Sequence, residues 1–223
     1  EEDAQHYLAS YQHAIAAMAK QAKPGVPVQA NDGISIKLSA LHPRYEDVNT
    51  DRVMAELLPR VWRLCEQAAA ANVSLTMDAE EVDRLEVSLR VFDAVVARIA
   101  TDLPDWSGFG LAMQAYQTRA SAVVTHVTAV ARQHKVKLMC RLVKGAYWDT
   151  EIKRAQEMGL PCYPVFTHKH HTDIHYLACA KAMLAASDVI YAQFATHNAG
   201  TIAALLHMAG DQRSHFAVSY NHL

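Results

Sequence analysis

VKLMCRLVKGAYWD, residues 136–149, reads as a buried strand that ends in charge and aromatic rings. Val136, Leu138, Met139, Cys140, Leu142 and Val143 form a near-continuous apolar run, the pattern of a strand covered on both faces. Gly145 lets the backbone turn or lets a ligand approach it closely. Arg141 and Lys144 are costly to bury unless something anionic or polar meets them. Beside Tyr147 and Trp148 they suit a ligand that is both negatively charged and flat, as a nucleotide or flavin is. The same residues also suit a solvated strand end with two surface cations.

Outward from this stretch the same unit repeats. Tyr7, Leu8, Tyr11, Ile15 and Met18 recur at three- and four-residue spacing and predict a helix over 4–22, stopped by Lys23-Pro24-Gly25-Val26-Pro27. A short strand follows over 34–38, then a long loop holding His42, Pro43, Arg44 and Tyr45. A helix over 51–71 carries Val53, Leu57, Val61 and Leu64 on one stripe, and 73–77 is a strand ending at Asp78. Residues 82–100 form a helix whose acidic opening (Glu80, Glu81, Asp83) suits the positive end of its dipole. A strand over 108–113 ends at Gln114, a helix covers 121–133, and the opening strand covers 137–143. Beyond it come a helix over 149–158, a short strand over 163–166, and a helix over 172–186 expected to bury Ile174, Leu177, Ala178 and Met183. A strand over 189–194, a helix over 201–209 and the start of another strand over 216–218 complete the series.

Strands alternating with helices, without a break in composition, predict parallel βαβ units in one domain over 1–223. Polar or reactive residues close the strands (Lys37, Asp78, Gln114, Arg141, Thr167, His197), and a closed ring gathers such ends at one mouth. No Gly-rich phosphate loop follows a strand, which counts against an open dinucleotide-binding sheet. The expected fold is α/β, a (β/α)8 TIM-like barrel. The chain opens on a helix at Glu1 and its last predicted element is a strand, so the barrel is expected to be incomplete, its first strand and last helix belonging to a larger protein.

With 223 residues and 51% hydrophobic content the chain can bury a sizeable core. A net charge of −2 gives no broad electrostatic footprint for nucleic acid or anionic lipid. There is no apolar run long enough to span a bilayer and no signal-peptide pattern. The four cysteines are scattered and never form CxxC, so they are expected as buried or half-buried thiols of a reducing compartment. The sequon Asn72-Val73-Ser74 opens an apolar run and reads as chance.

Three groups could do chemistry. Lys37, at a strand end and followed by a loop, could bind a substrate carboxylate or form a Schiff base near Asp78, or simply pair with Asp78. His168, His170 and His171, with His175 four residues after His171, could hold a metal, but no Glu lies inside that pair as a zincin would require. Thr167 and Lys169 precede a helix N-terminus, a place that suits pyrophosphate. Thr196-His197-Asn198 also joins strand to helix and suits either a ligand or a plain helix cap.

GISIKLSALHPRYE (33–46), MDAEE (77–81), QAYQ (114–117), RLVKGAYWD (141–149), THK and TD (167–169, 172–173) and QFATHN (193–198) together resemble the proline dehydrogenase family, most closely the proline dehydrogenase domain of bifunctional bacterial proline-utilisation flavoenzymes. The resemblance runs from the first helix to about residue 213, and its two long strings are highly specific. It implies a flavin-binding barrel that oxidises L-proline to pyrroline-5-carboxylate by hydride transfer to N5 of FAD and passes the electrons to a quinone. Carried over by motif, Lys37 pairs with the proline carboxylate, Asp78 sits beside it, and Tyr147 packs on the substrate ring. Arg141 lies by the flavin ring, with Gln114 bonding its polar edge. Val143, Lys144, Gly145, Ala146, Trp148, Thr167, Lys169, Thr196, His197 and Asn198 hold the ribityl, pyrophosphate and adenine parts. No metal is expected. The resemblance further implies a fused aldehyde dehydrogenase domain, a cytoplasmic location, peripheral contact with the inner membrane, and no nucleic-acid role for this segment.

One departure stands out. The family's adjacent arginine pair, which clamps the substrate carboxylate from the last barrel helix, has no counterpart here, and residues 214–223 do not follow the family pattern. Two other readings therefore stay beside the first: a metal-dependent barrel hydrolase built on the histidines, and a catalytically incomplete barrel fragment.

Overall fold

The structure, a computed structural model, describes residues 1–211 and 215–219. Helices and strands alternate as α1 (Glu2–Ala19), β1 (Gly33–Ile36), α2 (Leu38–Leu41), α3 (Thr50–Ala70), β2 (Ser74–Met77), α4 (Leu85–Asp102) and β3 (Phe109–Gln114). They continue as α5 (Ala120–His134), β4 (Leu138–Val143), α6 (Trp148–Glu157), α7 (Lys169–Ala185), β5 (Ile190–Ala195), α8 (Ala199–Ala209) and β6 (Phe216–Ser219). The strands make a six-stranded sheet in chain order, β1 to β6. A doubly wound sheet would reverse its order part-way, so consecutive order is the topology of the barrel class.

By packing, the described residues form two compact units, residues 1–111 with 134–139, and residues 112–133 with those from 140 onward. In the first, β1 and β2 pair parallel, with Ile36 opposite Met77, and β2 pairs parallel with β3. The stripe predicted for α3 is buried, and α4 buries Val87, Val91, Phe92, Val95, Val96 and Ile99. Phe92 stacks on Phe109 at 5.6 Å, and the Trp106 indole donates to the Val73 carbonyl at 3.1 Å. Each fully buried Val, Leu or Phe contributes about 1.5–3 kcal/mol. Gly110 is required by space, because a Cβ there would fall 1.6 Å from the Met139 carbonyl oxygen.

In the second unit, Ala112–Gln114 pairs parallel with Arg141–Val143, and β5 pairs parallel with β6. All six residues of β3 are buried, as are Leu138, Met139, Cys140 and Leu142 of β4, which accounts for the unbroken apolar run. Tyr176 of α7 is buried and donates to the Ala195 carbonyl at 3.2 Å.

Four expectations need correction. Residues 163–166 are not a strand of the sheet: Val165 makes only an isolated antiparallel bridge to Gln117. Pro161 and Pro164 lack the N–H donors a ladder needs. The chain after Lys37 is not all loop, since Leu38–Leu41 makes one helical turn with Lys37 at its N-cap. Helix α7 does not bury Ile174, which is 66% exposed, or Ala178; its inner face is Thr172, Tyr176, Cys179, Ala180, Met183 and Leu184. And Cys162 is exposed, whereas Cys65, Cys140 and Cys179 are buried.

Burial pushes the Cys179 thiol up to about 11 and raises that of Cys65 further. Thiolate is the reactive form. Native protein at pH 8 should therefore take up one iodoacetamide per copy of this segment, at Cys162, as read by peptide mass spectrometry. Alkylation of Cys65 or Cys179 on the same timescale would contradict this burial.

Candidate functional site

The turn after β4 is held from beneath by the end of β3. Tyr116 N–H donates to the Lys144 carbonyl and Phe166 N–H donates to the Tyr116 carbonyl, both at 2.8 Å. The Tyr116 hydroxyl accepts from Tyr147 N–H at 3.3 Å, and Gln114 Oε1 accepts from Ala146 N–H at 3.1 Å. Gly145 takes φ +141°, and a Cβ on it would sit 2.5 Å from Tyr116 ring carbons. What closely approaches this glycine within the chain is thus the Tyr116 ring. The buried tyrosine and Gln114 shape the turn that carries Lys144 to Trp148.

Charge is organised around Asp173. Its carboxylate accepts from Lys144 Nζ at 2.5 Å and from Lys169 Nζ at 2.6 Å. The Lys144 hydrogen bond, and then that of Lys169, holds the Asp173 carboxyl below the usual carboxylate range. The sign follows: a depressed carboxyl stays ionised through neutral and mildly acidic pH, and its ion pairs are lost only as pH falls through that lowered value.

Two cavities share this wall. One, of about 430 Å³, is lined by Tyr116, Lys144, Gly145, Trp148, Phe166, Thr167, Lys169 and Thr172. The other, of about 570 Å³, is lined by Val143, Lys144, Gly145, Ala146, Lys169, Ala195, Thr196, His197 and Asn198. Trp148 is fixed by its indole N–H donating to the Phe166 carbonyl at 2.9 Å. Helix α7 starts without a side-chain cap: His171 N–H donates to the His168 carbonyl at 3.1 Å, while the N–H groups of Lys169 and His170 have no intrahelical partner. Helix α8 differs: Asn198 Oδ1 accepts from Thr201 N–H at 2.9 Å, and Thr196 Oγ1 accepts from Asn198 N–H at 3.1 Å. Asn198 is thus a helix cap whose side-chain N–H donors stay available, and His197 beside it is exposed.

The structure therefore brings Val143, Lys144, Gly145, Ala146, Trp148, Thr167, Lys169, Thr196, His197 and Asn198 to the walls of two shared cavities. Gln114 lies buried under the turn, while Arg141 and Tyr147 are half-buried at its two ends. Lys37 and Asp78 lie in the first unit. Lys37 is exposed and Asp78 half-buried, and Asp78 N–H donates to the Ile36 carbonyl at 2.9 Å, so the two leave neighbouring strand ends side by side. Lys37 N–H in turn donates to the Tyr11 hydroxyl at 3.1 Å.

Tyr116, Phe166 and Asp173 were not among the expected site residues. Tyr116 lies within the string 114–117 and Asp173 within 172–173, and Asp173 also stands four residues after Lys169 on one helix. The histidines gather without forming a ligand set. The rings of His168, His170 and His171 have centroids 4.3–5.5 Å apart, but His175 Nδ1 donates to the Ala115 carbonyl at 2.8 Å. Among the described residues no three His, Cys, Asp or Glu side chains are placed to hold a metal ion.

Over residues 1–223 the sequence matches the family described as proline dehydrogenase. The chain belongs to that family. It is 51% identical over 208 residues to the bifunctional protein PutA of Salmonella typhimurium and 50% identical over the same length to that of Escherichia coli K12. In each case the match covers 93% of this chain and 16% of the relative, so the chain spans about a sixth of the length of these relatives. Among solved structures, that of proline utilization A with proline bound in remote sites superposes with a TM-score of 0.95 at 52% identity, covering 100% of this chain and 22% of that one. The proline dehydrogenase barrel is thus the fold to which this alternating α/β sheet corresponds.

Proposed function

We propose that the chain is the proline-oxidising part of a bifunctional proline-utilisation enzyme, catalysing FAD-dependent oxidation of L-proline to pyrroline-5-carboxylate and passing the electrons to a quinone. The observation that supports this most is the pair of cavities jointly walled by Lys144, Gly145 and Lys169. Cations, the uncapped N–H groups of α7, hydroxyls and aromatic faces make a donor set that suits a pyrophosphate carrying flat rings. The residues present therefore fit FAD.

When bound, FAD would supply the two-electron acceptor for the hydride that leaves the substrate. Side chains at the strand ends position the substrate. In this reading Lys37 holds the proline carboxylate, Asp78 stands at the neighbouring strand end, and Tyr147 packs on the substrate ring. Arg141 and Gln114 would hold the flavin ring, offering a cation and an amide to its polar edge. Lys144, Lys169, Thr167, Thr196, His197 and Asn198, with the turn Val143–Trp148, hold the ribityl, pyrophosphate and adenine parts. The bond that breaks is C–H on the ring carbon next to nitrogen. The nitrogen lone pair forms the C=N bond as the hydride leaves, so the amine must be neutral, and solvent takes the nitrogen's protons.

A fused aldehyde dehydrogenase domain would consume the product, and the cytoplasm is the proposed location. No helix among the described residues is long and apolar enough to cross a membrane. Quinone is proposed to be met by peripheral contact with the inner membrane.

The test is a visible spectrum of the full-length protein under anaerobic conditions. A band near roughly 450 nm that bleaches on adding proline supports the proposal. A band that proline leaves unchanged overturns proline oxidation, and colourless protein with stoichiometric zinc selects the hydrolase. In the active enzyme, Lys37→Met should raise KM for proline about tenfold or more, because a charge-assisted contact to the carboxylate is lost. Unchanged proline affinity would remove Lys37 from the carboxylate site.

A further inference from the structure

We infer that Asp173 is a positioning residue, holding Lys144 and Lys169 as a paired cation for the pyrophosphate of the nucleotide; the inference rests on the flavin reading above. Both ammonium groups bond the same carboxylate, Lys144 at 2.5 Å and Lys169 at 2.6 Å, and both lysines line both cavities. The lysines come from separate elements, the turn after β4 and the first residue of α7. Without the carboxylate, two like charges on flexible stems would repel and separate. With it, two positive charges meet one negative, so one net positive charge stays at the shared wall. Each ammonium carries three N–H donors, spends one on Asp173 and keeps two for a ligand.

Stability does not explain the arrangement. The Lys169 side chain is 77% exposed and those of Lys144 and Asp173 are 30% and 36% exposed. Ion pairs this open to water add little to folding. Their placement where an uncapped helix start meets the cavity wall gives them a ligand-directed role. Asp173 also fixes which N–H donors point away from the carboxylate, so ligand binding need not order two free lysine side chains.

The test uses the full-length protein stripped of flavin, with Asp173→Asn and Asp173→Glu beside wild type. Dissociation constants are measured by calorimetry for FAD and for ADP, which keeps the pyrophosphate but lacks the flavin ring, and apoprotein melting is followed in parallel. Asp173→Asn should weaken both ligands about tenfold while leaving the apoprotein melting temperature within about 2 °C, and Asp173→Glu should restore part of the loss. Equal or tighter binding by Asp173→Asn would overturn the inference, since charge alone would then suffice. A large fall in melting temperature alongside weaker binding would also overturn it, by making the role structural. Wild type that binds ADP but not FAD would sink the flavin reading while leaving the paired-cation role standing on the ADP comparison.

Discussion

Gly145→Ala is expected to destabilise the protein by about 3–5 kcal/mol and to leave the purified full-length enzyme without its yellow colour. At φ +141° an L-residue is strained, at about 1–3 kcal/mol. The new methyl would also press on the Tyr116 ring at 2.5 Å. Tyr116 cannot retreat freely, because its N–H and carbonyl bond Lys144 and Phe166 and its hydroxyl takes Tyr147 N–H. The turn that carries Lys144 and Trp148 must move instead, and both line the proposed nucleotide site. Denaturant unfolding and the ratio of flavin to protein absorbance are the readouts. Gly159→Ala is the control: its φ is +62°, but a Cβ there meets nothing within 4 Å, so it should lose only about 1 kcal/mol and keep its flavin. If Gly145→Ala behaves like that control, Tyr116 does not support the turn.

Gly110→Ala should be more damaging still, losing about 4 kcal/mol or more and accumulating as insoluble protein. The obstacle is backbone, since the Cβ would lie 1.6 Å from the Met139 carbonyl oxygen and no rotamer change can clear it. Gly110 faces Thr76 in the register of β2 and β3, so displacing it also disturbs the ladder on the other side. Soluble yield and far-ultraviolet circular dichroism will decide. A soluble variant with wild-type stability would mean that the strands do not approach so closely.

Much of the fold was legible because burial on both faces leaves a plain signature. The run ending at Val143, expected from residue 137, is a strand from Leu138, and the helix expected over 51–71 spans Thr50–Ala70. Sequence periodicity failed where polar residues face inward. Thr172 and Tyr176 sit on the buried side of α7 while Ile174 looks outward, so the apolar residues alone gave the wrong phase. The strand expected over 163–166 failed as well, because Pro164 within it and Pro161 just before it limit pairing. For the site, the strings around Lys144 and Asn198 pointed to residues that line shared cavities, but the bond from Lys144 to Asp173 spans 29 positions and has no local trace. The support from Tyr116 was equally hidden, since it depends on a close approach that only coordinates reveal.

The exposed thiol of Cys162 has a practical consequence. It lies four residues before Phe166, which lines the smaller cavity and whose N–H is tied to Tyr116. Within this chain a thiol-reactive fluorophore would therefore attach at Cys162, on the segment that borders the proposed nucleotide site. This segment carries its own attachment point for watching a ligand arrive.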